Sequence, residues 1–303
     1  MIDSGSKSYS GKLLLFGEYT TIRGSKALAI PLASFKGQWK QAQTTDKEIP
    51  SLIDFINYIE ANSWGIEIDI NRFRKETDNG LYFESNIPIG YGVGSSGALC
   101  AAVYERYAYA PLHADDSAHY EALKKMLAQL ESYFHGSSSG TDPLICYLNK
   151  PALLQPSGQI SVPVLSDNAK QKGTFFLIDT GISRKTAPLV ETFMKKCKNP
   201  DFVKLLASDL IPYNEQAIDD YLQGKRTALA IAMKAISRFQ LQHFRAMIPN
   251  AFITLWENGL SSNNYSLKLC GAGGGGFILG YTPQALEEID WPPGLKMIPL
   301  DNV

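Results

Sequence analysis

Pro88-Ile89-Gly90-Tyr91-Gly92-Val93-Gly94-Ser95-Ser96-Gly97-Ala98 lies between a strand-like run, Tyr82 to Asn86, and a helical pattern over about 95 to 110. Glycine permits left-handed backbone and close approach of the chain to another group. The first amides of a helix have no intrahelical acceptor, so their N–H groups point out of its start. A glycine-rich turn feeding such a start is suited to an anion such as phosphate. A tight strand-to-helix turn is the plainer reading of the same residues. No Gly-Lys-Ser/Thr closes the loop, and its glycine spacing is not the GxGxxG of dinucleotide binding. Ser95 and Ser96 stand in the first helical turn, where a hydroxyl either caps amides or faces a magnesium ion held by phosphate.

Further along, Cys270-Gly-Ala-Gly-Gly-Gly-Gly276 precedes an apolar strand pattern, Phe277 to Tyr281. So much backbone freedom costs folding entropy, which close approach of a ligand or of another chain segment would offset. Between these loops, Glu131-Ser-Tyr-Phe-His135-Gly-Ser-Ser-Ser-Gly-Thr-Asp142 puts one carboxylate at the end of a helical pattern and a second eleven residues on. Both can face one pocket, although isolated acids are usually solvated. His135 suits a helix C-terminus, where the dipole favours it. Near the N-terminus Gly11-Lys12 leads into the apolar run Leu13 to Phe16 and Gly17-Glu18 follows it. A lysine entering a buried strand is unusual, though its stem can snorkel.

Working outward, 303 residues with 45% hydrophobic and 19% charged side chains can bury a sizeable core. The 29 basic and 30 acidic residues nearly cancel, so no bulk field favours nucleic acid or an anionic membrane. The 4 cysteines show no CxxC pairing, which argues against a disulfide framework or a structural zinc site and fits a reducing, cytoplasmic home. No apolar run approaches the roughly 18 residues of a membrane helix, and no signal-peptide pattern opens the chain. Strand patterns at Leu13 to Phe16, Ala27 to Pro31, Gly65 to Ile70 and Tyr82 to Asn86 alternate with helical ones at 52 to 62, about 95 to 110 and about 116 to 133. In the last of these, Leu123, Met126, Leu127, Leu130 and Tyr133 form the apolar stripe. A polar, turn-rich stretch from Pro156 to Gly173 marks a boundary between two lobes, 1–160 and 161–303. Beyond it lie a strand at Thr174 to Asp179 and helices near 186 to 197, 201 to 222 and 226 to 247. The mixture predicts an α+β fold.

Ser10-Gly-Lys-Leu-Leu-Leu-Phe-Gly-Glu-Tyr19, the stretch 88–98 and Lys268-Leu-Cys-Gly-Ala-Gly-Gly-Gly-Gly276 together resemble, in this order, the three motifs of the GHMP kinase superfamily. Within it the mevalonate kinases are the most similar, because their HGxxSGxD loop is met by His135 to Asp142 and their metal-binding glutamate by Glu131. Leu177 to Val190 is also similar to a mevalonate-kinase segment near the substrate. The resemblance implies a two-lobed fold with a ribosomal-protein-S5-like N-terminal lobe and a ferredoxin-like C-terminal lobe. It implies ATP and Mg2+ as cofactors and a small alcohol as acceptor, foremost mevalonate phosphorylated to 5-phosphomevalonate in isoprenoid biosynthesis. Phosphomevalonate, a sugar or another alcohol is the alternative acceptor, and a non-catalytic nucleotide or metabolite sensor the alternative class. A homodimer is compatible with it.

By position, the resemblance makes Asp142 and Lys12 catalytic and gives Ser96 and Glu131 the metal. It lays Gly90, Gly92, Gly94, Ser95, Ser96, Gly97, Gly273 and Gly274 along the nucleotide. Glu18, Tyr19, Thr180, Gly271 and Ala272 fall to the substrate. The sequence departs from the family at Tyr19, where histidine is usual, at Gly97 in place of alanine and at Val93 in place of leucine.

Overall fold

The computed structural model describes residues 7–42, 52–62, 67–166, 173–184 and 186–300. The chain divides into two compact units, neither continuous in sequence. The first takes the described residues of Met1–Leu13, Ile30–Pro88 and Val93–Ala152; the second takes those of Leu14–Ala29, Ile89–Gly92 and Leu153–Val303. Strands β1 (Ser8–Phe16) and β2 (Ala27–Gln41) each run from one unit into the other, so a single cut near 160 does not separate the units as they are built.

The first unit holds α1 (Ile53–Ala61), α2 (Ile70–Asp78), β3 (Leu81–Ser85), α3 (Ser95–Tyr107), α4 (Tyr120–His135) and α5 (Thr141–Leu148). Strand β3 pairs antiparallel with β2, Gly37 opposite Ser85 and Lys40 opposite Tyr82. Helix α3 is the centre of this unit because its inward residues are small or aromatic: Cys100, Ala101, Ala102, Tyr104 and Tyr107 are buried. Small residues allow neighbouring helices to come close. At Gly97 a Cβ would lie 3.0 Å from the carbonyl carbon of Asp142, so this departure from alanine lets the start of α5 sit directly on the start of α3.

Leu123, Leu127 and Leu130 of α4 are buried as the stripe predicts, whereas Tyr133 is exposed and lies against Phe55 and Tyr58 of α1. The predicted strand Gly65 to Ile70 is corrected. Gly65 and Ile66 lie outside the described residues, Ile68 makes an isolated bridge to Ala108, and Ile70 begins α2. The cause is local: the Asp69 carboxylate accepts the Arg72 N–H, a helix cap that overrides the short alternation. Phe73 then anchors α2, stacked on Tyr107 at 4.2 Å with Trp39 edge-on to both.

In the second unit come β4 (Ala152–Leu154, whose first residue falls in the first unit), β5 (Ile160–Ser161), β6 (Thr174–Asp179), α6 (Thr186–Lys196), α7 (Pro200–Leu205), α8 (Ile211–Leu222), α9 (Arg226–His243), α10 (Ile253–Ser262), β7 (Ser266–Leu269), β8 (Phe277–Thr282) and β9 (Met297–Leu300). One sheet runs β1-β2-β4-β5 with β3 on β2, and another runs β7-β8-β6-β9. The second is antiparallel, with Phe176 opposite Gly280, where any side chain would strike the Phe176 ring. Strand β6 covers the predicted residues. The helix predicted over 201 to 222 is instead α7, a π-helical turn at Leu206–Leu210, and α8. Pro212 explains the break, since it lacks an N–H and its ring crowds the carbonyl four residues back. Mixed helices and antiparallel sheets make this an α+β protein. No described helix is long and apolar enough to cross a membrane.

Candidate active site

In the first unit, residues from four elements meet at the start of α3. Lys12 enters from β1, only 8% exposed, and its backbone N–H donates to the Val93 carbonyl at 2.9 Å. Its Nζ lies 2.9 Å from Asp142 Oδ2. Asp142 is the second residue of α5, whose N-cap is Gly140 in the left-handed region; the helix dipole favours a carboxylate there. Gly94 is needed beside Lys12. Its φ is 82°, and a Cβ would fall 2.9 Å from Lys12 Cγ and 3.2 Å from Cys146 Sγ.

Behind that pair lies a second carboxylate. Glu131, 4% exposed near the end of α4, accepts the Ser96 hydroxyl on Oε1 at 3.1 Å and the Ser138 hydroxyl on Oε2. His135 Nε2 lies 3.1 Å from the same Ser96 Oγ. Burial, then the charge of Asp142, pushes the Glu131 carboxyl above the usual carboxylate range, and the two hydroxyls and His135 only partly oppose this. Capping and facing a cation are the two roles open to Ser95 and Ser96. Among the described residues no side chain caps α3, whose N-cap is Gly94, and Ser96 spends its hydroxyl on Glu131. Ser138, one serine among three in a row, carries no sequence signal of its own.

Ser96 and Glu131 offer hard oxygen donors, the kind that magnesium takes. Among the described residues no group of three or more His, Cys, Asp or Glu could hold a metal ion. A cation on Ser96 and Glu131 therefore needs further oxygens from phosphate or water, which is how Mg2+ is usually bound.

The second unit brings the other predicted residues together around the segment Asp179 to Arg184. Gly90 and Gly92 take positive φ, and between them the Tyr91 hydroxyl donates to Asp179 Oδ1 at 2.9 Å. The Arg184 N–H reaches the Gly90 carbonyl at 3.3 Å. Its Nη1 donates to the carbonyls of Cys270 at 2.7 Å and Gly273 at 3.2 Å. A Cβ at Gly92 or at Gly271 would collide with Arg184 Nη2, while its Nε is buried without a hydrogen-bond partner. A guanidinium so placed, between two glycines and without a carboxylate partner among the described residues, is suited to an anion. Arg184 was missed in the sequence because it stands in coil, outside the three glycine motifs. The Gly274 N–H donates to Met247 O at 2.6 Å.

The residues expected on the substrate fare differently. Thr180 spends its hydroxyl on the Gly276 carbonyl at 2.6 Å. Glu18 and Tyr19 are turned inward: each is 5% exposed, Glu18 Oε1 accepts Lys268 Nζ at 2.6 Å, and the Tyr19 hydroxyl donates to Ala272 O at 2.6 Å. Tyr19 has φ 64° and ψ −31°, a strained conformation that costs of order 1–3 kcal/mol in a non-glycine residue. Its ring lies 4.7 Å from Phe193 and 5.2 Å from Phe244. Gly271 and Ala272 belong to the loop that this corner holds.

Residues 58–150 match the family model "GHMP kinases N terminal domain". The chain is 27% identical to a mevalonate kinase of Archaeoglobus fulgidus over 291 residues, 90% of each chain. Its fold is similar to that of L. major mevalonate kinase in complex with R-mevalonate, with TM-score 0.64 and 16% identity over 92% of this chain and 87% of that one. It is also similar to Streptococcus pneumoniae phosphomevalonate kinase in complex with phosphomevalonate and AMPPNP, with TM-score 0.61 and 15% identity over 93% of each. Residues 58–150 thus match the N-terminal domain of the GHMP kinases, and the chain shares the fold of these solved kinases over more than nine-tenths of its length.

Proposed function

We propose that this protein is a Mg2+-dependent kinase that moves the γ-phosphoryl group of ATP to the hydroxyl of a small anionic alcohol, mevalonate first among them. The observation that carries the reading is the 2.9 Å contact of Lys12 Nζ with Asp142 Oδ2 beside the uncapped start of α3. Phosphoryl transfer asks for alignment and charge stabilisation rather than covalent chemistry from the protein. Asp142 takes the proton of the acceptor hydroxyl. The oxygen then bonds to the γ-phosphorus as the bond to the bridging oxygen breaks, and ADP leaves. Lys12 stabilises charge on the acceptor oxygen and on the phosphoryl group in flight, and its contact with Asp142 orients the carboxylate. The amides that open α3 are placed for phosphate oxygens. Ser96 and Glu131 would hold magnesium, which when bound neutralises phosphate charge.

The 27% identity to a mevalonate kinase over 90% of each chain supports mevalonate as the acceptor over a neutral sugar. Phosphomevalonate is the second reading. Tyr19 does not separate the two, because its hydroxyl is bonded to Ala272 O inside the protein. A non-catalytic sensor is disfavoured because Lys12, Ser96, Glu131 and Asp142 are all present and in contact in pairs.

The test is ADP release from magnesium ATP across R-mevalonate, phosphomevalonate, galactose and homoserine. Mevalonate is expected to give the highest kcat/KM, and ADP at background with every alcohol overturns the kinase reading. For Ser96→Ala, the half-saturating Mg2+ concentration is expected to rise about ten-fold, the scale of a lost ligand or its close support. An unchanged metal titration removes Ser96 from the metal site.

A further inference from the structure

We infer that the corner Gly17-Glu18-Tyr19 is a clamp on the third glycine-rich loop, and that Glu18 and Tyr19 are positioning residues rather than substrate contacts. Three bonds carry this. The Tyr19 hydroxyl donates to Ala272 O at 2.6 Å, Glu18 Oε1 takes Lys268 Nζ at 2.6 Å, and the Gly271 N–H approaches the same oxygen at 3.5 Å. Lys268 also donates to the Leu269 carbonyl at 2.9 Å. The corner thus grips the chain on both sides of Cys270, over Lys268 to Ala272.

The far half of the loop is held by other partners. Thr180 and Ile182 bond to Gly276, and Met247 to Gly274. Gly271, Gly273, Gly274, Gly275 and Gly276 all take positive φ, so without such anchors this run has many alternative conformations. The strained backbone of Tyr19 persists because its ring packs between Phe193 and Phe244 and its hydroxyl ends on the loop. A surface tyrosine awaiting substrate needs none of these features. The clamp stands on its own contacts; its effect on turnover rests on the kinase reading, in which the loop lies along the nucleotide.

Tyr19→Phe removes one hydroxyl and keeps the ring. Hydrogen exchange followed by mass spectrometry is expected to show peptides spanning 268–276 exchanging about five-fold faster, the factor that one lost neutral hydrogen bond gives, with exchange elsewhere unchanged and the melting temperature lowered by only about 2 °C. In the same variant KM for ATP is expected to rise several-fold with kcat within two-fold, a split that a general loss of packing does not give. Unaltered exchange over 268–276 overturns the clamp, and so does faster exchange spread evenly over the chain, which makes Tyr19 a core residue only. Local acceleration in a protein that releases no ADP with any alcohol leaves the clamp standing and removes the kinase reading.

Discussion

Asp142→Asn is expected to lower kcat with the best acceptor by about 10² to 10³-fold while the fold is kept, judged on the effect of deleting a single charge-stabilising group, about 2.7–4 kcal/mol. The amide has nearly the carboxylate's shape, so the start of α5 and its seat on Gly97 are preserved. What is lost is the proposed proton acceptor and the charge facing Lys12 Nζ at 2.9 Å. A second consequence separates this from mere damage. The charge of Asp142 helps to push the Glu131 carboxyl upward, so its removal eases ionisation of Glu131. The variant should therefore still bind Mg2+ and ATP while turning over far more slowly. ADP release, the magnesium titration and ATP binding by calorimetry check the three parts. Turnover within a few-fold of the parent makes some other group the base.

The same geometry shows what was readable beforehand. The alternating glycines of 90–94 were legible because they take positive φ just before a helix. Glu131 and Asp142 were legible as two acids flanking a small-residue loop. Their roles, and the neighbour relation of Lys12 and Asp142, came from resemblance alone, since nothing in a sequence measures a distance between residues 130 positions apart.

Other features were hidden for physical reasons. Asp69 looks like one more alternation in a strand until its carboxylate is seen capping Arg72. Ser138 and Arg184 lie in coil, where no period points a side chain. Glu18 and Tyr19 follow a strand, as ligand-facing residues often do. Their partners lie 250 and 253 positions away, and only the fold reveals that both side chains turn inward.

That inward pair sets the largest expected change in stability. Lys268 and Glu18 have side chains 1% and 2% exposed. Lys268→Met leaves a carboxylate in the core without its cation, and removing one partner of such a pair costs about 3–5 kcal/mol. The cost should depend on pH in a definite sense. Burial already pushes the Glu18 carboxyl above its usual value even with Lys268 opposing it, and loss of the lysine pushes it further. A carboxyl raised in the folded state binds its proton there more tightly than in the unfolded chain. Its contribution is then fully present below the unfolded value near 4.5 and is lost as pH rises through the folded one. The deficit of Lys268→Met in denaturant midpoint should accordingly be largest near neutral pH and shrink on acidification toward pH 5. Adding Glu18→Gln removes the buried charge altogether, so the double variant should recover most of the loss and flatten the pH dependence. A single variant as stable as the parent at pH 7, or a double variant no better than the single, means that the pair contributes nothing to holding the Gly17–Tyr19 corner against the loop.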